Sequence, residues 1–211
     1  APAVDLLADD RSTAAVEAIK LAGNVAFTQS CSIPAVPAPG EYALSVTAAG
    51  APSVVALQFD LGVAQADEAM AIVTGFLGST PAIQPLPLAV SGRSVFTEAK
   101  LRVTHGSPST PAVDLYLVVD GTDLNDAAVT PAFGAVPFGA DTGILSLAPG
   151  VYDVYVTPAG DKGTVAINVQ NLTLTGGEVL DVIARDPATN GSEGALPQLI
   201  VIDHQSIAAC T

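Results

Sequence analysis

TPAVDLY (110–116) and APGVYDVYVTPAG (148–160) have near copies in the first half of the chain, APAVDLL (1–7) and APGEYALSVTAAG (38–50). Pro39 and Pro149 stand 110 residues apart, as do Tyr42 and Tyr152. NVAF (24–27) falls against AVPF (135–138), and AQADEAMAIVTGF (64–76) falls against TGGEVLDVIARD (175–186), with Glu68 facing Glu178 at the same spacing. Several separate blocks at offsets of 109 to 111 point to an internal duplication. The sequence therefore predicts a first repeat over 1–90, a linker over 91–98, a second repeat over 99–204 and a C-terminal tail over 205–211.

Inside the blocks the apolar period is two. Val113, Leu115 and Leu117 alternate with Asp114, Tyr116 and Val118, and Tyr152, Val154 and Val156 alternate with Asp153, Tyr155 and Thr157. Val165, Ile167 and Val169 repeat the pattern. Such alternation turns one face to a core and the other to solvent. Asp120-Gly121, Pro149-Gly150, Gly160 to Gly163 and Gly176-Gly177 supply the turns between short strands. The expected fold is all-β: two tandem antiparallel immunoglobulin-like sandwiches of Greek-key type. Thr13 to Leu21 reads equally as a short helix or a strand. The second repeat has an opening strand, AKLRVTHGSPST (99–110), that the first lacks, and a missing strand leaves an edge open to self-association. The tail, Gln205 to Thr211, is one candidate to fill that place.

Composition narrows the function. Of 211 residues, 7 are Lys or Arg and 21 Asp or Glu, giving a formal charge of −14. That balance disfavours nucleic acid and anionic surfaces, which are bound by neutralising phosphates. Charged residues make up only 13% against 49% hydrophobic, so the acidity is not that of a disordered tail. No apolar run is long enough to span a bilayer as a helix. Cys31 and Cys210 have no CxxC spacing. They leave three readings: free thiols, a bond to another chain, or one long-range bridge. The low Lys content and the acidity favour export, and with it the bridge.

Few residues invite chemistry. His105, Ser107 and Asp114 contain a nucleophile, a base and an acid, but no G-x-S-x-G elbow accompanies them, and two residues apart on a strand the first two point in parallel. The structural reading has Ser107 and Asp114 holding backbone groups of a Pro-rich turn that includes Pro108. His204, after the run Leu199 to Asp203, reads as a surface or capping residue. Asp120, Asp123 and Asp126 are weak calcium candidates, since the EF-hand pattern is not met; Asp9-Asp10 reads as the parallel loop of the first repeat. Tyr42, Tyr116, Tyr152 and Tyr155 are the only tyrosines and Trp is absent, which argues against a dedicated carbohydrate module. Asn171-Leu172-Thr173 and Asn190-Gly191-Ser192 fit the N-x-[ST] pattern, one that is common by chance.

At THGSPSTPAVDLY (104–116) the chain resembles the exported bacterial and archaeal family called domain of unknown function 4397. Its members read close to V-H-A-S-P-D-A-P-A-V-D-V-Y. The matching residues are His105, Ser107, Pro108, Pro111, Ala112, Val113, Asp114 and Tyr116; Val136 to Gly139 and Leu147 to Gly160 are similar to later family blocks. The chain departs at Gly106 and Ser109, and the first repeat has no His-Ala-Ser-Pro segment. The resemblance implies an immunoglobulin-like sandwich, often in tandem, secreted or on the cell surface, with no established activity. The functional expectation is a non-enzymatic module for spacing, adhesion or interaction with a protein or cell-envelope partner, needing no cofactor. The alternative is a glycan- or calcium-binding module using loops at the sandwich end.

Overall fold

The computed structural model describes residues 3–11, 18–33, 39–64, 69–90, 93–187 and 196–210. Fourteen strands and no helix are found among them. The chain divides into two compact units, one of residues 1–90 with 206–211 and one of residues 91–205.

In the first unit β1 (Val4–Asp10), β2 (Ile19–Val25), β3 (Gly40–Ala48) and β4 (Ala51–Val63) form an antiparallel sheet in the order β2-β1-β3-β4. β1 lies against β3 along its whole length, from Val4 opposite Ala48 to Asp10 opposite Tyr42. Ala8, Tyr42 and Leu44 make its buried cluster, with Leu6, Leu21, Phe59, Leu61 and Val63 packed around them. β5 (Ala69–Thr74) and β6 (Gln84–Ala89) form a separate two-stranded sheet.

Three readings change here. The described part of Thr13 to Leu21 is strand from Ile19 onward, because its partner Ala8 in β1 completes a ladder that a helix would forgo; residues 12–17 lie outside the described residues. Asp9 and Asp10 are ladder residues of β1 rather than a loop. Among the described residues the tail adds no strand to either sheet. It makes a bridge, Ala209 beside Ser32, with Ser32 N–H donating to Ala208 O and Cys210 N–H to Ser32 O, both at 2.8 Å. Beside this bridge Cys31 and Cys210 are joined by a disulfide spanning 179 residues.

The second unit holds β7 (Ala99–His105), β8 (Val113–Val119), β9 (Phe133–Val136), β10 (Leu145–Leu147), β11 (Gly150–Pro158), β12 (Ile167–Leu174), β13 (Val179–Arg185) and β14 (Gln198–Asp203). One sheet runs β10-β7-β13-β14, the other β12-β11-β8-β9. All pairs are antiparallel except β7 with β13. One core joins the sheets: Leu101 and Val103 of β7, Val113 and Leu115 of β8, Val154 and Val156 of β11, and Leu180 and Val182 of β13. Burying each such Leu or Val is worth about 1.5–3 kcal/mol.

The faces read as solvated are covered. Tyr116 and Tyr155, cross-strand partners on β8 and β11, are buried under Leu124 and Val129 of the loop that follows β8. The period of two assigns a residue to a face, but a loop folded back over that face removes it from water. β12 starts at Ile167, so Val165 precedes the strand and stays partly exposed. Gly176 is required in its turn: a Cβ there would stand 1.9 Å from Phe96 O.

Candidate functional site

The His-Gly-Ser-Pro motif sits where β7 ends, beside the end of β13. Gly106 N–H bonds Ala184 O at 2.8 Å, holding the turn against β13. His105 is buried, and both ring nitrogens are committed. Nε2 lies 3.0 Å from Pro111 O, which only accepts, so Nε2 carries the proton; Nδ1 then accepts from Ser107 N–H at 3.4 Å. Phe138 meets the ring edge-on at 6.3 Å.

Ser107 does not turn to this histidine. Its hydroxyl donates to Asp186 Oδ1 and so must accept from Thr110 Oγ1, 2.6 Å away. Ser109 adds an Oγ–H to Asp186 Oδ1 at 2.6 Å and an N–H to Oδ2 at 3.3 Å. Asp186 thus fastens the whole Ser-Pro-Ser-Thr turn, in which Pro108 is half-buried. This corrects the sequence reading of Ser107, whose partner is a side chain 79 residues away rather than the backbone of its own turn. A cavity of about 20 Å³ beside the motif, lined by Thr104, His105, Val136 and Thr142 among others, has room for about one water. A Ser-His pair needs the imidazole on the hydroxyl; here the His105 ring and the Ser107 hydroxyl are each tied elsewhere.

Asp114 is a second fastening. Its Oδ1 accepts from Ala135 N–H at 2.7 Å and its Oδ2 from Gly160 N–H at 2.8 Å. Both donors have left-handed φ, 52° and 78°. Asp5 in the first unit does the same, accepting from Asn24 N–H at 2.8 Å and Gly50 N–H at 3.0 Å, donors at φ 52° and 73°. Asp153 of β11 is a third case, holding Asn171 N–H at 3.0 Å and Gly121 N–H at 3.3 Å, at φ 57° and 79°. The motif is one device: a buried carboxylate in a strand, satisfied by backbone donors turned towards it. Left-handed backbone costs about 1–2 kcal/mol at a non-glycine residue, and a hydrogen bond to a charged group returns about 1.5–3 kcal/mol. The Asn24 and Gly50 amides hold the Asp5 carboxyl below the usual carboxylate range; burial opposes them, and Lys20 at 3.2 Å adds to the lowering.

A buried ion cluster lies on the outer face of the β7–β13 pair. Arg102 Nε meets Asp181 Oδ1 at 2.5 Å and its second nitrogen meets Oδ2 at 3.0 Å. His204 Nε2 lies 2.5 Å from the same Oδ2, with its side chain only 14% exposed, so it is not a surface residue.

The calcium candidates do not come together. Asp123 Oδ1 accepts from its own loop at Asn125 N–H, 2.9 Å, and Asp126 Oδ1 from Ala128 N–H, 2.9 Å. Among the described residues no three His, Cys, Asp or Glu side chains form a metal-holding group. The loop is pinned instead by Lys162, whose ammonium donates to Asp126 O and Val129 O at 2.7 Å each. Asn171 is exposed and gives its backbone N–H to Asp153, and Asn190 lies outside the described residues.

Asp153, Asp181 and Asp186 were not singled out from sequence. The signal available was a carboxylate interrupting an apolar strand, as in Tyr152-Asp153-Val154 and Leu180-Asp181-Val182.

No curated protein matches the chain. A solved structure titled as a "putative cell adhesion protein" from Bacteroides fragilis aligns with 99% of this chain and 85% of its own, at 10% identity and a TM-score of 0.25. The sequence model of one family matches twice, over residues 1–116 and 99–209, and between them these matches take in nearly all of the chain: it belongs to the domain of unknown function family DUF4397.

Proposed function

We propose that the chain is a non-enzymatic module of the cell surface or the secreted fraction, built as two tandem immunoglobulin-like sandwiches of Greek-key type that act by spacing or by protein interaction. The observation that carries this is the use of the family motif itself. His105, Ser107, Asp114 and Asp186 spend their hydrogen bonds on the backbone and on side chains around the same turn, and the His105 ring bonds Pro111 O and Ser107 N–H rather than the Ser107 hydroxyl. Supporting the sandwich are the shared core of the second unit, the common order β2-β1-β3-β4 and β9-β8-β11-β12, and the Tyr152 hydroxyl bonded back to Ala148 O at 2.9 Å, in the manner of a tyrosine corner. Supporting export is the disulfide, a bond that persists in oxidising compartments.

The interaction surface we favour is the edge of β5. Among the described residues β5 pairs with β6 alone, whereas β13 has β7 on one side and β14 on the other. An edge that presents exposed Val73 suits strand-to-strand association with another chain, a second copy included. Surface labelling of intact cells with a non-permeant reagent tests the location; a chain found only in the cytoplasm with both thiols reduced overturns the reading. Sedimentation of wild type and Val73→Lys tests the edge, since a lysine there blocks strand addition. A calcium-dependent rise in melting temperature favours the ligand-binding alternative instead.

A further inference from the structure

The disulfide joins Cys31, soon after β2, to Cys210, past the last strand, so everything between them lies in one closed covalent loop. Strands β3 to β14 are inside it; only β1 and β2 are outside. A pull that enters before Cys31 and leaves after Cys210 has a direct route through the sulfur–sulfur bond. Hydrogen-bonded ladders and apolar cores open under far less force than a covalent bond. We propose that the Cys31–Cys210 bond is a mechanical clasp: it carries tension past the entire second unit and most of the first, so under load the loop it closes does not extend.

The covalent path fixes what can be released. With the clasp closed, a pull from the two ends frees at most the segment through Cys31 and the residue after Cys210, roughly 110 Å at about 3.5 Å per residue. The loop keeps back 179 residues, roughly 600 Å of extended chain. What the load meets first is β1, seated between β2 and β3. The clasp is held in place by backbone bonds of its own, Ser32 N–H to Ala208 O and Cys210 N–H to Ser32 O. The clasp goes beyond the surface-module reading and does not rest on it, since connectivity alone closes the loop.

The experiment is single-molecule stretching of the oxidised chain with handles before Ala1 and after Thr211, its bond verified by mass before and after alkylation. The expected trace extends by no more than the segment before Cys31 and shows no unfolding step from the second unit. The Cys31→Ser/Cys210→Ser double variant is expected to extend roughly six-fold further and to add that step. A second geometry keeps the test decisive if the variant folds poorly: in the oxidised wild type, one handle moves to the exposed turn at Asp161, inside the loop, and the second unit is then expected to open. Unfolding of the second unit in the oxidised chain pulled from its ends overturns the proposal, as does the absence of the bond from the exported protein.

Discussion

Strands β5 and β13 carry similar apolar segments, Ala69 to Thr74 and Val179 to Arg185, yet they meet opposite fates. Every residue of β13 is buried, while β5 leaves Val73 exposed and Ile72 half-exposed. Ala-Met-Ala-Ile-Val-Thr is no more polar than Val-Leu-Asp-Val-Ile-Ala-Arg, so composition does not explain the difference. Neighbours do. β13 has β7 beside it, whose Ala99, Leu101 and Val103 enter the core, and β5 has no strand on that side among the described residues. Burial in a sheet is a property of the pairing, and one strand more or less converts an interior strand into an edge.

The sharpest way to break this comparison is at the charge that only β13 bears. Asp181→Ala should cost the second unit about 3–5 kcal/mol, because the buried Arg102 loses its carboxylate. The double change Arg102→Leu/Asp181→Leu should recover most of that loss in a denaturant titration. Ala71 occupies the corresponding place in β5, so Ala71→Ser should leave stability nearly unchanged.

Core truncation comes next. Leu101→Ala should cost about 2–5 kcal/mol, the range for emptying a fully buried site. Ile72→Ala should cost distinctly less, since that side chain is only half-buried. Equal losses in the two melting transitions would show that β5 is covered as fully as β13.

A third measurement compares the carboxylates. Asp5 is held below its unfolded value, so its contribution to the first unit is present above the ordinary carboxylate range near pH 4 and is lost as pH falls through the lowered value. The Asp5→Asn variant should flatten that acid dependence in a melting series between pH 2 and 6. Removing Lys20, a smaller cause of the lowering, should shift the midpoint only slightly upward.

The smallest effect sharpens the comparison of donors. Ala135 and Gly160 both serve Asp114 from left-handed backbone, but only one is glycine. Ala135→Gly should relieve the Cβ strain and leave stability within about 1 kcal/mol of wild type, against the extra backbone entropy that glycine loses. Asp114→Ala, which strands both amides, should cost about 2–3 kcal/mol.

Much of this is legible in the sequence. Val113 to Val119 and Tyr152 to Val156 alternate as strands do, and Gly121 and Gly160 mark turns that require positive φ. Asp114 stands out as the acid that accompanies His105 and Ser107. Asp186 does not, since nothing near it in sequence calls for a partner; Ser107 lies 79 residues away. The burial of Tyr116 and Tyr155 was hidden for a related reason. A loop rich in Asp and Asn looks solvated, and only its Leu124 and Val129 turn inward.

What the sequence settled alone was local and covalent: the alternation that makes strands, the glycines that permit turns, the acidic balance and the family. Tertiary structure decided the rest: the parallel pairing of β7 with β13, the carboxylate that fastens the Ser-Pro-Ser-Thr turn, and the meeting of Cys31 with Cys210. Strand formation depends on neighbours two residues away, which the chain spells out. Partnership depends on segments tens to hundreds of residues apart, and many pairings satisfy the same alternation until a common core selects one.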